Sequence, residues 1–543
     1  MTTELGQRQT RTRDAWPRQR GGAHAASKTS RFRRTSASAP QSAQAPQSPN
    51  VLWHTNNRAP APLRVAAMRS AAAGLCAAAI VATVIPLVVL QVPDAIGWSP
   101  PARLAAGGSA VVASLLRASG LALPAMAIAG SLAALAVRWL RAGPVLLAGL
   151  LVLAVADTLG DAARTVALIG VDRSLHGAGA GVAMAGVIAV VADRRTYRQA
   201  GPPGAGRPFL ASWFAAVMLA GLAAAPELMR HRVGSGDWHV ALQPCPWLTG
   251  AALTLAALYA TLAEGTVTQT ARTDFPAAER AQLALLTAPV AGLCAVAVAV
   301  TYRGDGAVVA AAFADAIALA GIAVITARAG TAARFAIVCA VTGFTLAPVA
   351  GAVTALTAPT QPVTPPGVAV LAAALGGAAL AVLTRQPHAR SLTAGGLFLA
   401  ALGLGALDLA GLAAPSDRML TVLCVPVAGG LAAALTASLR PATPVGALAG
   451  VVILLAGLVA GYLAAGAVQL RALTGARSLT AAHAALATAA GHWALVAAAV
   501  TGAVALALTC TPARRSGRGS GAKPADLARG APVPGAGDIP DHR

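Results

Sequence analysis

Charge is scarce in this chain of 543 residues: 11% of it is Asp, Glu, Lys or Arg, against about 25% in a soluble globular domain. Lysine is confined to Lys28 and Lys523. No Gly-x-x-x-x-Gly-Lys-Ser/Thr segment can therefore exist in the apolar part, which excludes nucleotide hydrolysis by the P-loop route. Aromatic residues make up 4%, so any central cavity would be lined largely by Ala, Val, Leu and Gly, which points to an apolar or lipid-like cargo. The six cysteines, Cys76, Cys245, Cys294, Cys339, Cys424 and Cys510, form no Cys-x-x-Cys pair. Neither a zinc site nor a disulfide framework is indicated, and no metal or cofactor is expected. Acidic residues are few as well, so an Asp-rich motif for prenyl transfer is missing. An acid-bearing first external loop of a lipid-linked glycosyltransferase is also missing, since Asp94 stands alone there. An enzyme is not the expectation.

What the chain has is apolar length. Hydrophobic residues reach 56% and mean hydropathy is +0.66. Many runs approach about 20 residues, enough to cross a hydrocarbon core of about 30 Å. The expected fold class is all-α, a polytopic membrane protein with about fourteen transmembrane helices. Spans are predicted at 67–91, 112–137, 144–159, 171–195, 208–228, 247–263, 282–301, 306–327, 335–356, 367–385, 391–413, 419–438, 444–466 and 491–510. A long loop, Arg471 to Trp493, separates the last two. Residues 1–64 and 511–543 read as disordered polar tails, because they cannot bury enough apolar surface to fold. The net charge of +22 is almost all arginine and lies in the tails and alternate loops. That placement suits anionic lipid headgroups and the positive-inside rule rather than nucleic acid. An even span count puts both termini on one side, the cytoplasmic side of the cell membrane.

The stretch Val171 to Arg195 stands apart from the other runs. It opens on an acid–base pair, Asp172 and Arg173, and carries Gly177, Gly179 and Gly181 before ending at Asp193, Arg194 and Arg195. Glycines in an apolar helix let a neighbouring helix approach closely. An arginine inside such a span is costly in lipid and should face a bundle interior or a cavity. The segment Arg173-Ser174-Leu175-His176-Gly177-Ala178-Gly179-Ala180-Gly181 resembles the fourth-span motif of the major facilitator superfamily, Arg-x-x-Gln-Gly-x-Gly-x-x. Among that superfamily it most resembles the fourteen-span drug:proton antiporters, with His176 standing where Gln is usual.

The resemblance implies two six-helix bundles, 65–265 and 331–510, with a helix pair inserted between them at 266–330. It also implies that Arg173 takes part in proton coupling. Other features of that family are only partly matched. Arg138-Trp139-Leu140-Arg141-Ala142-Gly143 keeps the basic character of its loop after span two without the aspartate. Trp238 and Pro244-Cys245-Pro246 are similar to its entry to span six, and Ala225-Pro226-Glu227 lacks its paired glycines.

Embedded carboxylates are the other candidates, because an isolated aspartate at the bilayer centre costs about 2.5–3.5 kcal/mol and must repay it by facing a cavity or staying protonated. Asp315 and Asp408 sit within apolar runs. Asp157, Asp161 and Arg164 have spacings of four and three, which would put them on one helical face with Arg164 neutralising an acid. The proton-coupling candidates are thus Arg173, Asp315, Asp408 and Asp157. The function expected is secondary active transport, proton-coupled export of a small amphipathic or drug-like molecule. A second reading is a transporter-like scaffold or sensor that does not transport and whose basic tail recruits a partner.

Overall fold

In lipid every backbone N–H and C=O must be paired within its own segment, so apolar spans of this length become helices. Alanine and leucine, the strongest helix formers, make up much of each run. The computed structural model describes residues 61–86, 118–137, 139–192, 246–266, 289–298, 333–356, 367–384, 388–409, 417–441, 444–473 and 479–510, with a few isolated positions besides. The longer helices, in chain order, are α1 (Ala61–Pro86), α2 (Ala122–Ala136), α3 (Ala142–Gly160), α4 (Val166–Ala192) and α5 (Pro246–Thr266). They continue with α6 (Ala333–Leu356), α7 (Gly367–Leu383), α8 (Ala389–Leu409), α9 (Asp417–Leu439), α10 (Pro444–Leu473) and α11 (Leu479–Cys510). Nine helices among the described residues are long and apolar enough to cross a membrane. Three shorter apolar segments, Pro289–Val298, Ala333–Leu346 and Val368–Leu383, accompany them. The predicted spans at 208–228 and 306–327, residues 1–60 of the first tail and the second tail lie outside the described residues, whereas 61–64, predicted as tail, belong to α1.

Among the described residues nine of the predicted spans coincide with helices long and apolar enough to cross a membrane, and one connection differs from the expectation. The predicted loop from Arg471 to Trp493 is mostly helix: α10 continues to Leu473 and α11 begins at Leu479. The cause is composition. Seven of the twelve residues from Leu479 to Ala490 are alanine, and their helix propensity holds where hydropathy is modest.

Packing follows from small residues. Helix α4 lies against α2 and α3, α1 against α5 and α4, and α5 against α3. In the second group α6 lies against α10, α11 and α9, while α8 lies against α9 and α11, and α7 against α9. Helix α10 carries the main contacts between the groups, against α2 and α4. Outward faces are apolar too. On α3, Leu151, Val155 and Leu159 are exposed while Leu146, Leu150, Leu153 and Asp157 are buried. A helix that is apolar on both faces suits a lipid surround.

Polar side chains in these helices are mostly answered locally. Thr83, Ser174, Thr345, Thr393 and Thr501 each donate a hydroxyl to the carbonyl four residues back, at 2.7–3.0 Å. Arginines close helix ends in the second group. Arg390 donates to the Leu508 carbonyl at 2.9 and 3.0 Å. Arg440 donates to the Ala381 and Thr384 carbonyls at 2.7 Å each. Cations there satisfy carbonyls that have no partner within their own helix.

Candidate functional site: a buried charge cluster on α4

Helix α4 presents two stripes to two neighbours, and the glycines alternate between them. A Cβ on Gly170 would touch Leu121 and Ala118, at 3.4 and 3.8 Å. One on Gly177 would strike the Ala122 carbonyl, and one on Gly181 would lie 2.8 Å from the Gly130 nitrogen. Gly170, Gly177 and Gly181 therefore face α2, and Arg173 occupies the same stripe. On the other side a Cβ at Gly179 would sit 2.8 Å from the Leu153 nitrogen and 2.9 Å from the Gly149 carbonyl oxygen. One at Gly186 would sit 2.7 Å from the Leu146 Cα. Asp172 and His176 fall on this second stripe, facing α3. The Gly-x-Gly-x-Gly run thus seats α4 on both neighbours at once. Its head brings Arg173 to the α2 side and Asp172 and His176 to the α3 side.

Helix α3 supplies the fourth member. His176 Nε2 lies 3.1 Å from Asp157 Oδ1. His176 Nδ1 lies 3.1 Å from the Asp172 backbone carbonyl and 3.3 Å from Asp172 Oδ1. Arg173 and His176 are fully buried, Asp172 is 1% exposed and Asp157 6%. The arginine is inside the bundle and does not reach toward a membrane surface. Both imidazole nitrogens face oxygen acceptors. A neutral imidazole carries one N–H, so satisfying both contacts takes one further proton, on the ring or on a carboxylate. With Asp157 and Asp172 ionised and Arg173 cationic, an imidazolium also brings the formal charge of the group to zero, and burial penalises any uncompensated charge.

The expected face shared by Asp157, Asp161 and Arg164 is not formed. Helix α3 ends at Gly160, Asp161 caps it, and Asp161 and Arg164 are both exposed in the turn that follows. Asp157 turns inward instead, and its partner is His176, nineteen residues on. Asp408 is half-buried near the end of α8, a helix that packs chiefly on α9 and α11, so it does not join this cluster. Asp315, Ala225-Pro226-Glu227 and Trp238 lie outside the described residues. Of the basic turn after span two, Trp139 is 68% exposed and Arg141 caps α3.

One group near the cluster had no signal in the sequence. Tyr462 of α10 packs on α2 two residues before Ala122, whose carbonyl lies against Gly177. Its ring rests on Gly120, where a Cβ would come within 3.0 Å of Tyr462 Cζ and closer still to its hydroxyl. Leu455, seven residues earlier on the same face, fits over Gly130 of α2, 2.5 Å from where a Cβ would be.

No family model matches the sequence, and no curated protein matches it. Solved structures do match in shape. A POT family transporter in complex with a thioalcohol-conjugated peptide superposes with a TM-score of 0.55 at 12% identity, covering 81% of this chain and 96% of that one. A POT family transporter in complex with 5-aminolevulinic acid gives 0.54, also at 12% identity and with the same coverage. The human organic anion transporter MFSD10 gives 0.49 at 16% identity, over 80% of this chain and 99% of that one. The chain therefore shares the all-helical fold of these two POT family transporters.

Proposed function

We propose that this protein is a secondary active transporter of the major facilitator type. It would exchange protons for a small amphipathic or drug-like molecule across the cell membrane, with both termini in the cytoplasm. The observation that carries this reading is the Asp157–His176–Asp172–Arg173 cluster, a proton-accepting group buried between helices of a transporter fold. Intramembrane ionisable residues are costly and mark ion and proton paths. A scaffold that merely holds a partner gains nothing from burying four of them. Among the described residues α10 carries the main contacts between the two helix groups, against α2 and α4, which supports a rocking of one group on the other about a central site.

Proteoliposomes carrying an imposed pH gradient would test this. A panel of lipophilic cations, organic anions and short peptides would serve as cargo, and an internal dye would read proton flux. Cargo-dependent proton movement is expected from the native chain. Asp157→Asn and Arg173→Ala should each reduce it at least about tenfold, the effect of losing about 1.4 kcal/mol of coupling. Silence across the panel from folded native protein would move the reading to a non-transporting scaffold.

A further inference from the structure

Arg440, at the end of α9, has half of its guanidinium unspent. Its Nη1 donates to the Ala381 and Thr384 carbonyls of α7, and its side chain makes no other hydrogen bond or ion pair with the described residues. Arg390 is engaged differently. Its Nε and Nη2, the two donors that point the same way, both meet the Leu508 carbonyl. In Arg440 that paired edge is open, and neither nitrogen is sealed inside the bundle. It is the edge that matches two oxygens of a phosphate or carboxylate at once. No acid is at hand to fill it. Helix α7 contains none, and Asp408 and Asp417 stand at the opposite ends of α8 and α9. Because Arg440 is half-buried, water and salt screen its charge incompletely, and a counter-anion there is favourable.

The turn of α7 that holds Arg440 also carries an apolar wall. Leu380 is 55% exposed and Leu383 81%. We propose that Arg440 and the last turn of α7 form a binding site for an anionic phospholipid. Its phosphate meets the Nε–Nη2 edge while an acyl chain lies along Leu380 and Leu383. The leucines select a lipid over an inorganic anion, which gains nothing from them. The proposed topology puts this end of the bundle at the cytoplasmic leaflet, where anionic lipids concentrate. The site is separate from the arginine-rich tails, and it stands whether or not the protein transports. Since the same guanidinium grips two α7 carbonyls, a bound headgroup would also fix the ends of α7 and α9 to each other.

Photolabelling of the full chain in vesicles tests this. Phosphatidylglycerol and phosphatidylcholine, each with a diazirine in one acyl chain, are added in turn as traces to phosphatidylcholine vesicles. Labelled peptides are then identified by mass spectrometry. Leu151, on the exposed face of α3, is the reference, because no cation there distinguishes the two headgroups. Relative to it, the anionic probe should label residues 380–384 roughly tenfold more than the zwitterionic one, the size of one charge-assisted hydrogen bond.

Arg440→Gln should abolish that preference. Arg440→Lys keeps the charge and a donor for the α7 carbonyls but has no paired edge, so it should lower the preference and serves if glutamine is not tolerated. Arg390→Gln also removes a guanidinium from a helix end, but one whose edge is spent on Leu508, and it should leave the preference unchanged. Equal labelling by the two probes in the native chain, or a native preference in either Arg440 variant, overturns the proposal. So does an equal loss in Arg390→Gln, which would trace the effect to loosened helix ends. Inorganic phosphate separates the two sources of the anion. Soluble short-chain phosphatidylglycerol should displace the probe, and phosphate at the same concentration should not. Equal displacement by both would assign the edge to a free anion and remove the lipid.

Discussion

At the scale of single residues, the energetics of the cluster make a prediction that distinguishes a compensated group from a set of isolated charges. Removing one partner of a buried pair strands the other, at about 3–5 kcal/mol, whereas replacing both with apolar groups is often close to neutral. Asp157→Leu should therefore lower the thermal midpoint sharply in detergent, by the equivalent of about 3 kcal/mol. The double variant Asp157→Leu/His176→Leu should recover most of that loss, because it deletes one acid and one base together. Equal losses in both would mean that His176 and Asp157 do not compensate each other.

Arg173 was legible in the sequence because an arginine inside an apolar run is expensive and therefore conspicuous. Asp157 was legible as an embedded acid, but its partner was not. Spacing pointed to Arg164 on the assumption that the helix continued, and the helix stops at Gly160. His176, seen only as a departure from a motif, proved to be the centre of the group. Tyr462 carries no periodic or charge signal of any kind, and only the packing of α10 on α2 reveals it.

At the scale of helices, the alternating glycines of α4 imply unequal sensitivity to a single methyl group. Gly177→Ala would drive a Cβ into the Ala122 carbonyl, a backbone atom that cannot move aside. It should destabilise by about 1–3 kcal/mol, as overpacking does. Gly395 on α8 has nothing within 4 Å of an added Cβ. Gly395→Ala should be neutral or stabilising by up to about 1 kcal/mol, the helix-propensity difference. Thermal unfolding of the two variants, side by side with the native chain, checks both, and a similar effect in each would refute the two-stripe seating. The spans were readable from hydropathy because lipid leaves helices as the main option. Which glycine meets which neighbour was not, since Gly177 and Gly179 look alike in a sequence and face α2 and α3 respectively in the fold.

At the scale of the whole molecule, arginines and helix ends bear on sidedness. Arg390 and Arg440 gather the ends of α7, α8, α9 and α11 at one end of the bundle, and Cys510 is exposed there at the close of α11. The proposed topology puts that end in the cytoplasm, the side the positive-inside rule assigns to such arginines. A membrane-impermeant maleimide should thus label Cys510 in inside-out vesicles and leave it untouched in right-side-out cells, and the opposite pattern would invert the proposed topology.

The manner in which α10 meets α2 has a mechanical consequence. Where α4 meets α2 and α3, and where α6 meets α10 through Gly343, Gly457 and Gly461, main chain lies on main chain. Prising those helices apart would break a long row of atomic contacts at once. Between α2 and α10 the contact described is two side chains resting over two glycines, a pair of studs in shallow sockets. A solid yields more readily where main chain does not lie on main chain, and among the described residues the plane past Tyr462 is of that kind.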